Sequence, residues 1–215
     1  LQLKLENIKF ISQKFNAKIN VFIMNSIFTD KPTKTHFIEN NYFGYNKKYI
    51  HFINQYYFYR LTDTGKILRL KNQRYGCGHG DFFYVLKAEY ENKILKNNIK
   101  YILYSNVDNL GATIDPFILG YHIYKKKSIT IEIAKKNKGD KGGAPAIVNN
   151  KAQIVEEFKF PADFDQNKLK YFNTATYICS SEILEKNIDL PFYVVEKKVD
   201  NINVIQFERL AGDLS

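Results

Sequence analysis

Cysteine is scarce in this chain: Cys77 and Cys179 are the only two among 215 residues, far apart and without metal-ligand spacing. That argues against a disulfide framework and fits a reducing, cytoplasmic setting. Long apolar runs are missing too; none reaches the roughly 20 residues that a membrane-spanning helix needs. Charges begin at Lys4 and recur, so the opening does not read as a secretory signal. There is no internal repeat and no low-complexity linker. No nucleophile elbow, H-E-x-x-H, Walker loop or G-x-G-x-x-G fingerprint occurs. His36, His51 and His122 have no partners at metal or triad spacing and read as core or surface residues. The first residue is Leu1 rather than Met, which reads as part of a longer protein.

What is present is an ordinary globular composition, 45% hydrophobic and 25% charged, enough to bury a sizeable core. The formal net charge is +10. A nucleic-acid partner would concentrate that charge on one face. Here the lysines are spread along the chain, with small clusters only at 125–127 and 135–138, so the reading is general surface charge.

Periodicity outlines the elements. Leu5, Ile8, Ile11 and Phe15 keep helical spacing, and INVFIM (19–24) reads as a buried strand. A loop, a short helix over 35–43 and a strand over 49–54 follow. Residues 57–61 and 66–70 flank Asp63-Thr64-Gly65, a hairpin signal. After a glycine-rich loop, Phe83, Leu86, Tyr90 and Ile94 return to helical spacing. Residues 100–104 read as a strand and 116–124 as a helix with Pro116 in its first turn. Ile129, Ile131 and Ile133 alternate as a half-buried strand, and 144–148 and 154–158 flank Asn149-Asn150, a hairpin signal. Residues 171–178 lead into a helix begun by Ser180 or Ser181; 194–199 and 203–207 read as strands. The order implies an α/β sheet with helices on both faces, extended by antiparallel hairpins into a mixed sheet. No domain boundary is visible, so 1–215 reads as one domain.

Three stretches can carry chemistry. Gly78-His79-Gly80 precedes a helix, where bare amides and a helix N-terminus suit an anion; the alternative is a glycine turn capped by Asp81. Asp108 follows the strand over 100–104, at a place where a carboxylate can hold Mg²⁺ against substrate phosphates; Asp and Asn also simply suit turns. Asp115 reads as the cap of the helix that begins at Pro116. Lys141-Gly142-Gly143 can offer a cation and bare backbone to a sugar or phosphate, or be a hairpin loop. Asn173 can present its amide to a sugar hydroxyl, or be a buried, satisfied Asn.

In order, MNSIFTD (24–30), FINQ (52–55), GHGD (78–81), SNVDNLGATID (105–115), KGG (141–143), FNT (172–174) and NVIQFE (203–208) resemble the eukaryotic-type UTP–glucose-1-phosphate uridylyltransferases, or UDP-glucose pyrophosphorylases. The resemblance runs over nearly the whole chain. It implies a glycosyltransferase-A-like (Rossmann-like) mixed sheet, incomplete at the N-terminus, and UMP transfer from UTP to glucose 1-phosphate with Mg²⁺, releasing pyrophosphate and UDP-glucose. Carried over, Gln55 would read the uracil edge, Gly78 would pack against the base and His79 would contact the sugar phosphate. Asn106 and Val107 would belong to the substrate site. Asp108 would be the catalytic metal ligand, and Gly143, Glu156 and Asn173 would line the hexose pocket. The family's glycine-rich nucleotide loop and its two phosphate-binding lysines match nothing here, so the 215 residues alone are expected to form an incomplete site. FNTAT stands where the family usually has FNTNN, which leaves the sugar open. The alternatives are a UDP-N-acetylhexosamine or broad UDP-sugar pyrophosphorylase, against which GHGD argues for the first, and a non-catalytic sugar-phosphate-binding remnant. The resemblance gives no oligomeric state.

Overall fold

The computed structural model describes residues 1–69, 73–137, 139–140 and 142–215. In chain order the elements are α1 (Gln2–Lys14), β1 (Val21–Asn25), α2 (Asp30–Glu39), β2 (Ile50–Asn54), β3 (Tyr57–Tyr59), β4 (Arg74–Gly76), α3 (Asp81–Ala88), β5 (Tyr101–Ser105), α4 (Pro116–Lys125), β6 (Ile129–Lys135), β7 (Ala144–Val148), β8 (Lys151–Val155), β9 (Tyr171–Ser180), β10 (Tyr193–Val199) and β11 (Ile202–Glu208). No helix among the described residues is long and apolar enough to cross a membrane. The residues cluster into two compact units. One holds Leu1–Ile8, Tyr90–Ile188 and Gly212–Ser215; the other holds Lys9–Glu89 and Asp189–Ala211.

In the second unit, β1 and β2 pair in parallel, from Val21 opposite Ile50 to Asn25 opposite Asn54, with α2 in the crossover. The fully buried Phe37 on α2 meets the edge of Phe52 on β2 at 5.1 Å between ring centroids. The Gln55 amide N–H donates to the Asn25 carbonyl (2.8 Å), which carries the ladder one residue past β2. The turn at Asp63-Thr64-Gly65 forms, with Gly65 at φ +77°, and Leu61 bridges Ile67. The inner rungs of the expected hairpin form around it: Thr62 N–H donates to the Lys66 carbonyl and Leu68 N–H to the Arg60 carbonyl, each at 2.8 Å. Beyond those rungs β3 pairs with β4, where Phe58 lies opposite Tyr75 and the Arg74 guanidinium covers the Tyr57 ring. Such aromatic and cation–π cross-strand pairs stabilise the β3–β4 pairing. Leu70, at the end of the expected second arm, lies outside the described residues. β10 and β11 form a hairpin whose turn residues, Asp200 and Asn201, have φ +50° and +64°.

In the first unit, β9 lies between β5 and β6 in an antiparallel sheet. β9 runs to Ser180 and is followed by a short 3₁₀ turn over Ser181–Leu184, not the expected helix. Cys179 and Tyr177 on β9 are fully buried, so the apolar alternation carries the strand through the serine that suggested a cap. β7 and β8 make a hairpin through Asn149 and Asn150 at φ +50° and +62°, the left-handed turn that Asn tolerates. Asp115 caps α4 as expected, accepting from the Phe117 and Ile118 amides. His122 is the satisfied core histidine of that helix, bonded to Thr130 Oγ1 (2.8 Å) and Ser180 Oγ (3.1 Å). Among the described strands only β1 and β2 pair in parallel; β3–β4 in the first half of the chain and the pairings of the second half are antiparallel. Among the described residues the two kinds sit in separate sheets.

Candidate functional site

The residues singled out from sequence fall into two groups, one in each unit, and each group is held by its own contacts.

Gln55, Gly78 and His79 belong to the second unit. Gln55 follows β2 and its Nε2 donates to the Gly78 carbonyl (2.7 Å). The same amide occupies the space where a side chain at Gly76 would stand. Gly78 has φ +88°, and a Cβ there would run into the Arg209 backbone; one at Gly80 would lie 2.8 Å from the Leu210 carbonyl carbon. The loop is therefore glycine-rich because residues 208–210 lie against it. Gly80 N–H donates to the Arg209 carbonyl (3.0 Å) and Arg209 N–H to the Cys77 carbonyl (2.7 Å). His79 Nδ1 accepts from the Ala211 N–H (3.1 Å). In the neutral ring the proton then sits on Nε2, which makes that nitrogen a donor.

Asp81 does not cap α3, as the sequence suggested. Gly80 holds the cap position without a side-chain bond. Asp81 is fully buried; its Oδ2 accepts from the Tyr56 N–H (2.8 Å) and its Oδ1 from Arg209 (3.3 Å). Burial pushes its carboxyl upward, opposed by those two partners. Arg209 is itself stacked over Tyr84 and Phe192, 4.0 Å from each ring centroid. Nothing in the local sequence announced that network.

The first unit carries the rest. β5 ends at Ser105 and the chain turns through Asn106, Val107 and Asp108, all exposed, with Val107 at 55%. The Asp108 carboxylate makes no hydrogen bond among the described residues. The loop is pinned from inside by Asn109, whose Nδ2 donates to the Thr174 carbonyl (3.1 Å) and to Thr176 Oγ1 (3.2 Å) on β9, while its Oδ1 accepts from the Ala112 N–H (3.2 Å). Lys4 of α1 reaches the same loop, donating to Ser105 Oγ (2.7 Å) and to the Ala112 carbonyl (3.1 Å). Burial lowers the Lys4 ammonium, while Asp108 and Glu132 pull it back up. Sequence reading missed Lys4 and the role of Asn109; only long-range contacts reveal either.

Beside this loop β9 bulges. Glu132 on β6 faces Thr176 and the next residue, Ile133, faces Asn173, so Thr174 and Ala175 are extra. Bulges of this kind commonly re-aim side chains beside functional sites. Asn173 holds the bulge: its Oδ1 accepts from the Ala175 N–H (3.0 Å), its Nδ2 donates to the Tyr177 hydroxyl (2.7 Å), and its own N–H donates to the Gly143 carbonyl (2.8 Å). Its amide is thus internally satisfied. Glu156 follows β8, and its carboxylate is wedged against two glycine backbones: a Cβ at Gly143 would lie 3.1 Å from Oε2 and one at Gly212 2.6 Å from Oε1. Burial raises the Glu156 carboxyl, Asp213 adds to this and Lys159 opposes it. The structure so brings Gly143, Glu156 and Asn173 together. Lys141, the cation of the KGG motif, lies outside the described residues.

No group of three or more His, Cys, Asp or Glu side chains that could hold a metal ion occurs among the described residues. A single exposed carboxylate does fit Mg²⁺ that arrives with nucleotide phosphates and keeps its waters, since that ion uses one or two protein carboxylates plus substrate.

The first unit thus carries an exposed carboxylate after a strand, and the second a glycine loop before a helix. The chain belongs to the UTP–glucose-1-phosphate uridylyltransferase family, whose model matches residues 1–214. It is 31% identical to UTP–glucose-1-phosphate uridylyltransferase 2 of Dictyostelium discoideum, over 99% of this chain and 45% of that protein. It is 28% identical to the barley (Hordeum vulgare) UTP–glucose-1-phosphate uridylyltransferase, over 99% and 48%. The chain spans about half the length of these curated relatives. The fold resembles an L281D mutant of Leishmania major UDP-glucose pyrophosphorylase solved with UDP-glucose, with a TM-score of 0.80 at 22% identity, covering 98% of this chain and 52% of that one. It also resembles the Trypanosoma brucei UDP-N-acetylglucosamine pyrophosphorylase solved with an inhibitor, with a TM-score of 0.76 at 21% identity, covering 99% and 48%.

Proposed function

We propose that these residues serve a nucleotidyltransferase that joins UTP and glucose 1-phosphate with Mg²⁺, giving UDP-glucose and pyrophosphate. The observation that carries the reading is Asp108, a carboxylate without a hydrogen bond among the described residues, exposed on a loop that Asn109 fastens to β9. In the reaction a sugar-phosphate oxygen attacks the UTP α-phosphorus and pyrophosphate leaves in line. Bound Mg²⁺ would neutralise charge on the phosphates. The protein's part is placement and electrostatics, since an ionised phosphate has no proton to surrender. Asp108 would hold the cation, with Asn106 and Val107 beside it. His79 would donate from Nε2 to the sugar phosphate and not act as a base, a role supported by its Nδ1 being an acceptor already. Gln55 and Gly78 would meet the uracil. Gly143, Glu156 and Asn173 would line the hexose pocket through backbone and carboxylate. Two buried free cysteines suit a reducing compartment, and the cytoplasm is the location that fits this reading.

The test is UMP transfer by the full-length coding product, with glucose 1-phosphate and N-acetylglucosamine 1-phosphate in competition. Asp108→Asn should lose Mg²⁺-dependent turnover by about a hundred- to thousandfold, the usual cost of one preorganised electrostatic group, with an unchanged circular dichroism spectrum. Near-normal turnover with the same metal optimum would sink the assignment. Ala175 and Thr176 stand where the family has amides, which favours a second reading for the sugar alone: preference for the N-acetylated substrate would replace glucose 1-phosphate and leave the chemistry intact.

A further inference from the structure

We propose that Lys4 is a positioning residue for the loop that carries Asp108: its ammonium ties the two ends of residues 105–112 together and so holds the carboxylate where a nucleotide-bound divalent cation meets it. The inference rests on the role proposed for Asp108. Lys4 Nζ donates to Ser105 Oγ (2.7 Å) at the entry of the loop and to the Ala112 carbonyl (3.1 Å) at its exit. Inside the loop the backbone bonds are Asn109 N–H to the Asn106 carbonyl and Ala112 N–H to the Asn109 carbonyl, both long at 3.3 Å, and Leu110 N–H to the Asp108 carbonyl at 3.0 Å. Such turns do not by themselves fix an exposed apex. Asn109 anchors the middle to β9, so Lys4 is the tie at the ends. Ordering a half-buried lysine costs side-chain entropy, and two charge-assisted bonds offset it.

Charge and tethering predict opposite signs. Lys4 lies in the field of both Asp108 and Glu132. If the lysine acted only through its charge, removing it would relieve repulsion and tighten divalent-cation binding. If it acts as a tie, removing it frees the loop and weakens binding. A charge-assisted hydrogen bond is worth enough that its loss should weaken binding by about tenfold.

The experiment compares wild type with Lys4→Met, Lys4→Arg and Ser105→Ala in the full-length protein. Hydrogen exchange is read on the loop, and Mn²⁺ affinity is read by electron paramagnetic resonance with UDP-glucose present. Lys4→Met should speed exchange at the Asn109 and Ala112 amides, leave the β9 amides unchanged, and weaken Mn²⁺ by about tenfold. Lys4→Arg should recover most of both effects. Ser105→Ala, which leaves the charge in place, should reproduce part of them and keeps the test decisive should Lys4→Met fail to fold. Unchanged loop exchange in these variants, or tighter Mn²⁺ binding in Lys4→Met, overturns the proposal. A wild-type protein that binds no Mn²⁺ with UDP-glucose overturns the role of Asp108 and the metal clause with it, while the exchange measurement still decides whether Lys4 ties the loop.

Discussion

Ala175 sits at φ +55° inside the β9 bulge, a left-handed conformation that costs an ordinary L-residue roughly 1–2 kcal/mol. Asn and Gly tolerate it better. Ala175→Asn, which restores an amide that the family usually carries there, should therefore raise stability by up to about 1 kcal/mol in denaturant titration; a loss of stability would mean that the bulge is held differently. Glu156 makes the opposite kind of demand. Its carboxyl is raised chiefly by burial, so above the ordinary glutamate range the folded protein binds more protons at this site than the unfolded chain does. Its contribution to stability consequently falls as pH rises through the raised value. Glu156→Gln removes that penalty: its melting temperature should exceed the wild type's at pH 8 and the gap should close below about pH 4, where glutamate is protonated in either state. Calorimetry at the two pH values decides it. The same change should weaken sugar-phosphate binding, a trade of function against stability.

At the scale of elements, the sequence announced what depends on neighbours and hid what depends on distance. The Asp115 cap, the Asn149-Asn150 turn and the strand behind Asp108 are local events, and each formed where the pattern put it. The hairpin around Asp63 formed at its inner rungs, from Thr62 opposite Lys66 to Arg60 opposite Leu68, while the pairing of β3 with β4 beyond it was not legible. Asp81 read as a cap because acidic residues favour helix starts; its true partners, Tyr56 and Arg209, lie 25 and 128 residues away. Lys4 reaches a loop more than a hundred residues downstream. The glycines of GHGD were legible as glycines but not as the floor for residues 208–210. Asp81→Ala strands the Arg209 guanidinium between two rings, so it should destabilise the protein by on the order of 3 kcal/mol. It should also raise exchange at the Gly80 amide. A change under about 0.5 kcal/mol, typical of surface substitutions, would show that Arg209 is held by Tyr84 and Phe192 alone.

Over the whole molecule, the chain passes between its two units at residues 8/9, 89/90, 188/189 and 211/212. Neither unit is a continuous segment, which explains why no linker or composition shift marked a boundary. The site residues divide the same way, so the motifs could be matched one by one from sequence while the contacts that hold each group could not. The net charge of +10 acts at this scale as well. Retention on duplex DNA should be without sequence preference and should fall steeply between about 50 and 200 mM salt, as phosphate contacts do. Anisotropy titrations at both salts check this, and tight binding that survives the higher salt would reveal a patch.

The order of strands β5, β9, β6 has a consequence for how the protein is made. The middle strand is synthesised last, so β5 and β6 leave the ribosome with no partner until residue 180 has followed them. For that interval both strands are open edges, the species most prone to pair with a neighbouring chain. The loop that presents Asp108 hangs from β5 and is anchored to β9 by Asn109, so it cannot be set before the sheet closes. In refolding, protection should arise together in β5, β6 and β9 and only afterwards in the loop, at the pace of a topology dominated by distant pairings.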